Sequence, residues 1–303
     1  MEASTGHGSG QRASDWRAQL PLNGPGPYAV VDGRILTDGL EVIIAAHCNL
    51  RCRACAYLSP VMLEGNVRNA ETFHGLGIRM IQLTYNDHSY AGDGCMQAID
   101  EGLTFFGREL IRCMNELGII VDLSHCGLRT TMEAIEWSRA PVAVSHSACA
   151  ALHPHPRNKT DDILRALSST GGYLGVCAVP AFLADRRKRR PSVAVMTEHI
   201  LHALDICGEA GVGIGSDWGV KGSPVPVLTR LRSESRSRGF RERRQFDFAH
   251  ITDGFERWSV GFPRITRSLV TTGLSDAAIK GVLGGNFCNF YERVTVAGQH
   301  NVG

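Results

Sequence analysis

Asp122-Leu123-Ser124-His125 and, after one helix-length of chain, Ser145-His146-Ser147 decide how this sequence folds. Each follows a short apolar run, Gly118-Ile-Ile-Val121 before the first and Ala140-Pro-Val-Ala-Val144 before the second. Between them, Thr130 to Ala140 (TTMEAIEWSRA) places Met132, Ile135 and Trp137 near a 3.6-residue repeat, which predicts a helix. The order is therefore strand, helix, strand, with one imidazole at the C-terminal end of each strand. In parallel β/α architectures those ends are where side chains converge on a common site. Two histidines on adjacent strands can direct neutral ring nitrogens at one metal ion, so His125 and His146 are candidate ligands. Asp122, three residues before His125, is placed to hold that ring in one tautomer. The competing reading is two imidazoles capping buried strands, each satisfied by a hydrogen bond.

The 303 residues suffice for one large β/α domain or two modest ones. A hydrophobic share of 43% supplies a core, and 20% charged residues argue against wholesale disorder. The net charge of +2 gives no general attraction to nucleic acid or membrane. Basic residues do cluster, at Arg186–Arg190 and between Arg230 and Arg244, and read as solvated loops. No run approaches the ~20 apolar residues of a membrane span. The opening MEASTGHGSGQRAS lacks the apolar core of a secretory signal and reads as a disordered tail over residues 1–27. A cytoplasmic location is the expectation, and the ten cysteines then read as thiols or ligands rather than disulfides.

Residues 28–65 read as a small β unit with a cysteine-rich loop. YAVVDG and LEVIIAAH predict two strands, joined by a turn at Thr37-Asp38-Gly39. Cys48-Asn-Leu-Arg-Cys52-Arg-Ala-Cys55 follows, and three thiols so spaced on a loop can hold three irons of a [4Fe-4S] cluster. Free or zinc-binding cysteines are the alternative. From residue 66 to 303 helix and strand alternate, giving a β/α barrel domain. Helices are expected at Val67–Leu76, ended by Gly77, and at Leu103–Leu117, ended by Gly118. Others follow at Thr160–Ser169, with Thr160 as N-cap and two early acids, at Val195–Cys207, and at Ser275–Leu283 with Ser275 as cap. Strands are expected at IRMIQLTY, IIVDLS, PVAVSH, YLGVCAV and VGIGSD, the last presenting Asp217. That makes about five parallel strands, short of the eight of a closed barrel; the N-terminal pair would raise the count to about seven.

Several stretches carry a resemblance: LGIRMIQLTYN, GDGC, GLTFFGREL, MNELGIIVDLSH, RAPVAVSHS, HPRNKTDD, GIGSDW and LGGNF. In this order, from about Asn66 to Val294, they resemble the renal (membrane) dipeptidases, a branch of the amidohydrolase-like metal-dependent hydrolases. The resemblance implies a TIM-like (β/α) barrel, atypical at its N-terminal strands here. It also implies hydrolysis of a dipeptide-like substrate at a site holding one or two Zn2+ ions. It assigns His125 and His146 to one zinc, Arg157 to the substrate's carboxylate, and Asp217 to proton handling. Tyr85 and Asn86 stand where many members have a substrate-contacting histidine. The family's His-x-Asp pair on the first strand is missing, because Val31-Asp32-Gly33 is followed by Arg34-Ile35-Leu36. Glu64 is a shifted candidate for the family's bridging glutamate. The Cys48, Cys52, Cys55 loop resembles that of the radical S-adenosylmethionine enzymes, so the alternative function is a repurposed barrel, a binding protein carrying an iron–sulfur cluster. No nucleic-acid or membrane partner is expected, and a homodimer is left open as the assembly.

Overall fold

The computed structural model describes residues 28–31, 34–37, 65–75, 77–184, 189–217, 252–256 and 258–299. The chain divides into two units, Met1–Leu40 and Glu41–Gly303. In the first, β1 (Tyr28–Val31) and β2 (Arg34–Thr37) pair antiparallel, with Tyr28 opposite Thr37 and Val31 opposite Arg34. Between these, Ala29 lies opposite Leu36 and Val30 opposite Ile35. Beyond Thr37, the turn expected at Thr37-Asp38-Gly39 and the expected strand LEVIIAAH lie outside the described residues; β2 is a strand that sequence reading did not expect. β1 and β2 form a two-stranded sheet of their own.

The second unit contains α1 (Asn69–Gly75), β3 (Met80–Gln82), α2 (Phe105–Leu117), β4 (Ile120–Asp122), α3 (Leu128–Trp137) and β5 (Ala143–Ser147). It continues with α4 (Asp161–Ser169), β6 (Tyr173–Val176), α5 (Pro180–Leu183), α6 (Val193–Cys207) and β7 (Val212–Ile214). The five strands lie in the order β3-β4-β5-β6-β7, each parallel to the next. Spatial order follows chain order without the reversal of a doubly wound sheet, which is the arrangement of a TIM-type barrel wall. The β/α architecture expected from the alternation is the one that forms.

Local sequence explains the element ends. The hydroxyls of Thr104, Thr160 and Ser192 accept from the backbone N–H groups of Gly107, Ile163 and Val195, capping α2, α4 and α6. Each such cap is worth about 1 kcal/mol. Gly118 ends α2 at φ 67°, a left-handed conformation that glycine adopts without steric cost. On α3 the buried stripe is Thr130, Thr131, Ala134 and Ile135. Trp137, near the same repeat, faces solvent, donating from its indole to the Arg108 carbonyl with the Arg108 guanidinium 5.0 Å over its ring.

Among the described residues, α7 (Trp258–Thr271), α8 (Asp276–Lys280) and α9 (Asn286–Gln299) follow, the last two joined by a π-helical turn at Gly281–Gly285. Ser275 caps α8 through the Ala278 N–H, as expected. Helix α9 closes the N-terminal ends of the strands. Phe287 and Phe290 meet Tyr173, the first residue of β6, at centroid distances of 5.2 and 5.6 Å. The Asn286 amide donates to the Glu209 and Val212 carbonyls at 2.5 and 2.7 Å, and Arg293 donates to Gly171 at 2.6 Å. The Leu283–Phe287 stretch therefore serves packing at the base of the sheet. The opposite, C-terminal ends carry His125 and His146. Among the described residues, no helix is long and apolar enough to cross a membrane.

Candidate metal centre

His125 and His146 come together as the strand–helix–strand reading requires. Both are 4% exposed, and their Nε2 atoms lie 3.0 Å apart with the rings inclined at 60°. What holds each ring decides what those nitrogens can do. His125 Nδ1 lies 2.8 Å from Asn86 Oδ1, an acceptor, so the proton sits on Nδ1 and Nε2 keeps its lone pair. His146 Nδ1 lies 2.8 Å from Ser145 Oγ. That hydroxyl spends its own hydrogen on Asp122 Oδ2 at 2.6 Å, so the imidazole must donate to it. His146 is thereby also an Nδ1–H tautomer, with its lone pair on Nε2.

Asp122 was expected to act on His125; the structure corrects this. Its carboxylate accepts from the Ser124 and Ser145 hydroxyls, each at 2.6 Å, and reaches His146 through Ser145. The reason lies in the parallel pairing of β4 with β5, which sets Asp122 beside Ala143 and brings Ser145 within its reach. His125 is instead fixed from β3's loop by Asn86.

Electrostatics reinforce the neutral state. Burial, first, then the Arg157, His146 and Lys159 charges hold His125 well below its ordinary value. Burial followed by Arg157 and Lys159 does the same for His146. Two neutral rings with opposed lone pairs 3.0 Å apart repel unless a cation lies between them. Two nitrogens each ~2.0–2.1 Å from a tetrahedral zinc stand about 3.3 Å apart, so the observed separation suits a shared ion. The donor set therefore fits zinc. Among the described residues, no third His, Cys, Asp or Glu joins the pair.

The other expected residues fall as follows. Tyr85 is half-buried and stacks on the His125 ring at 4.3 Å and 21°. Arg157 is 0% exposed; its Nη1 donates to the Ser124 carbonyl, its Nη2 to the His146 carbonyl at 3.2 Å, and it lies 5.1 Å over the Phe182 ring. Among the described residues its buried Nε meets no hydrogen-bond partner. Asp217 is exposed, three residues past β7, at φ 54°. A side chain on Gly215 would overlap the Ser145 carbonyl, so glycine there lets the chain leading to Asp217 pass against the His146 strand. Glu64 and Cys48, Cys52 and Cys55 lie outside the described residues.

Sequence reading missed Asn86 and Ser145 as supports of the pair. Ser145 adjoins His146, and that adjacency was the available signal. Asn86 meets His125 across 39 residues, and nothing local announces it. The GDGC stretch explains the closeness: Gly94 packs on the backbone of Tyr85 and Asn86, and Cys95 N–H donates to the His125 carbonyl at 2.8 Å.

Comparison with known proteins agrees with this architecture. The chain is 30% identical over 229 residues to dipeptidase aclJ of Aspergillus oryzae, covering 74% of this chain and 47% of that protein. Among solved structures, an amidohydrolase from Pseudomonas aeruginosa matches with TM-score 0.68 at 30% identity, over 79% of this chain and 71% of that one. Dipeptidase AC, a metallopeptidase of family M19, matches with TM-score 0.61 at 25% identity, over 76% of this chain and 62% of that one. The chain spans 35% to 51% of the length of the curated relatives it matches. The family model described as membrane dipeptidase (peptidase family M19) matches residues 61–230, beginning after the three clustered cysteines. That match takes in more than half of the sequence, and the chain belongs to the membrane dipeptidase family.

Proposed function

We propose that this chain is a zinc-dependent hydrolase of dipeptides or related small amides, with His125 Nε2 and His146 Nε2 as metal ligands. The opposed, deprotonated Nε2 pair carries this reading. Bound there, zinc would supply an activated water at neutral pH and polarise the scissile carbonyl. The protein's own residues do the rest. Asn86 and the Ser145–Asp122 pair keep both rings in the ligating tautomer. Tyr85 forms an aromatic wall against His125 that limits how substrate approaches. Arg157 is assigned the substrate's carboxylate; its Nη1 and Nη2 each give one hydrogen to the Ser124 and His146 carbonyls, and the second hydrogen of each Nη and the Nε–H are not used by those bonds. Asp217, exposed beyond the strand next to β6, takes up the proton lost at the attacking water and returns it to the leaving amine.

The expected result is about one or two zinc ions per purified chain by elemental analysis, following the family's ligand chemistry. Free amino acids should be released from dipeptides, and His146→Ala should abolish both properties. Zinc retained without turnover across a broad dipeptide panel would defeat the catalytic half of the proposal.

A further inference from the structure

Lys159 is buried, 0% exposed, and takes no part in the chemistry above. Its ammonium donates to the Cys126 carbonyl at 2.7 Å and to the Thr131 hydroxyl at 3.1 Å. Cys126 is the residue after His125, and Thr131 lies in the first part of α3. The backbone of the same residue is tied elsewhere: Lys159 N–H donates to Ala148 at 3.0 Å, and its carbonyl accepts from Ala150 at 2.9 Å. Those two residues continue the chain just past His146. One residue thus joins the loop after His125, through its side chain, to the loop after His146, through its main chain.

Removing an ammonium from water costs several kcal/mol, and burial lowers its pKa from 10.5 to about 8. A surface-facing residue or an apolar one would fill the volume without that cost. What the ammonium adds is a fixed length between two backbone anchors. Resting on the metal-site reading above, we propose that Lys159 is a positioning residue that sets the separation of the two ligand loops, and through it the 3.0 Å spacing of the imidazole nitrogens. The charge itself works against a nearby cation, so strut and charge predict opposite effects on removal.

Lys159→Met keeps the length of the side chain and removes its donors. Zinc affinity, measured by competition with a chelating dye, is expected to fall ~10–100-fold, the range for lost outer supports of a ligand. The cobalt-substituted protein should show shifted and weakened visible bands, because the bite of the two imidazoles has changed. Thr131→Ala removes one acceptor only, keeps the fold if Lys159→Met does not, and should give a smaller loss in the same direction. Unchanged or tighter zinc binding in the folded variants, with an unaltered cobalt spectrum, would overturn the proposal and leave Lys159 as packing. Wild-type protein that takes up no zinc would fail the metal-site reading itself, a separate outcome.

Discussion

The two ends of the parallel sheet are built from opposite materials. At the N-terminal ends, Tyr173, Phe287 and Phe290 form an aromatic cluster sealed by Asn286. At the C-terminal ends, the buried groups are Asp122, Ser124, His125, His146, Arg157 and Lys159. Apolar burial at the base stabilises at ~25 cal/mol per Å2 of surface. The polar rim must first lose hydration, and its hydrogen bonds mostly restore what that costs. The base therefore holds the fold, and the rim spends part of that stability on presenting two nitrogens. Parallel β/α folds place stability and chemistry at these same respective ends.

The largest separation of the two ends should come from Phe290→Ala. The ring is 1% exposed, and truncating a buried phenylalanine costs ~3–5 kcal/mol. Urea denaturation should show that loss, while zinc affinity per folded molecule stays at the wild-type value. An equal fall in zinc affinity would mean that base and rim are one cooperative structure.

Much of this division was legible in the sequence. The capping residues Thr104, Thr160, Ser192 and Ser275 work through contacts three residues away, so pattern alone locates those helices or nearly so. The histidine pair was readable because β4 and β5 are consecutive and parallel, which forces their C-terminal ends together. The supports were not readable. Asn86 to His125 spans 39 residues and Lys159 to Cys126 spans 33, and such pairings depend on loop paths that no local propensity encodes. The strand Arg34–Thr37 went unread because it is four residues long and lies between two Asp-Gly pairs, Asp32-Gly33 and Asp38-Gly39, of which only the second was read as a turn. Trp137 lies near the helical repeat that revealed α3, yet its indole and the Arg108 guanidinium form a solvent-facing stack that periodicity does not report.

Acid should act on the rim before the base. His199, on α6, accepts from Cys149 just past β5, and burial lowers its pKa to about 4. An unfolded imidazole titrates near ~6.5, so as pH falls below that value the unfolded chain binds a proton that the folded one refuses. Stability is therefore fully present above ~6.5 and declines by ~1.4 kcal/mol per pH unit for this group, until its folded pKa is reached. His125 and His146, also lowered, add to the same slope in metal-free protein. Urea midpoints of the metal-free chain should drop from pH 7 to pH 5, and His199→Gln should flatten the slope by about one proton. A flat profile would show that the rim imidazoles are not held neutral.

The finest test concerns Asn86, because it asks whether a rim residue can be changed without touching the fold. Its Oδ1 fixes the His125 proton on Nδ1, and it is buried with its backbone carbonyl accepting from Met96 at 2.8 Å. Asn86→Ala removes the side-chain acceptor but not the backbone bond, so the loop keeps its path while the ring gains freedom to flip or change tautomer. Zinc affinity should then fall ~10–100-fold, equivalent to about 1.4–2.8 kcal/mol. Asn86→Asp, which keeps an acceptor at that position, should retain most of the wild-type affinity. Nitrogen-15 spectra of the metal-free imidazoles would identify the tautomer directly, with His125 as Nδ1–H in the wild type and mixed in Asn86→Ala. If both variants lose stability and neither loses affinity, Asn86 belongs with the packing residues of the base, and the division between the two ends does not extend to the supports of the metal ligands.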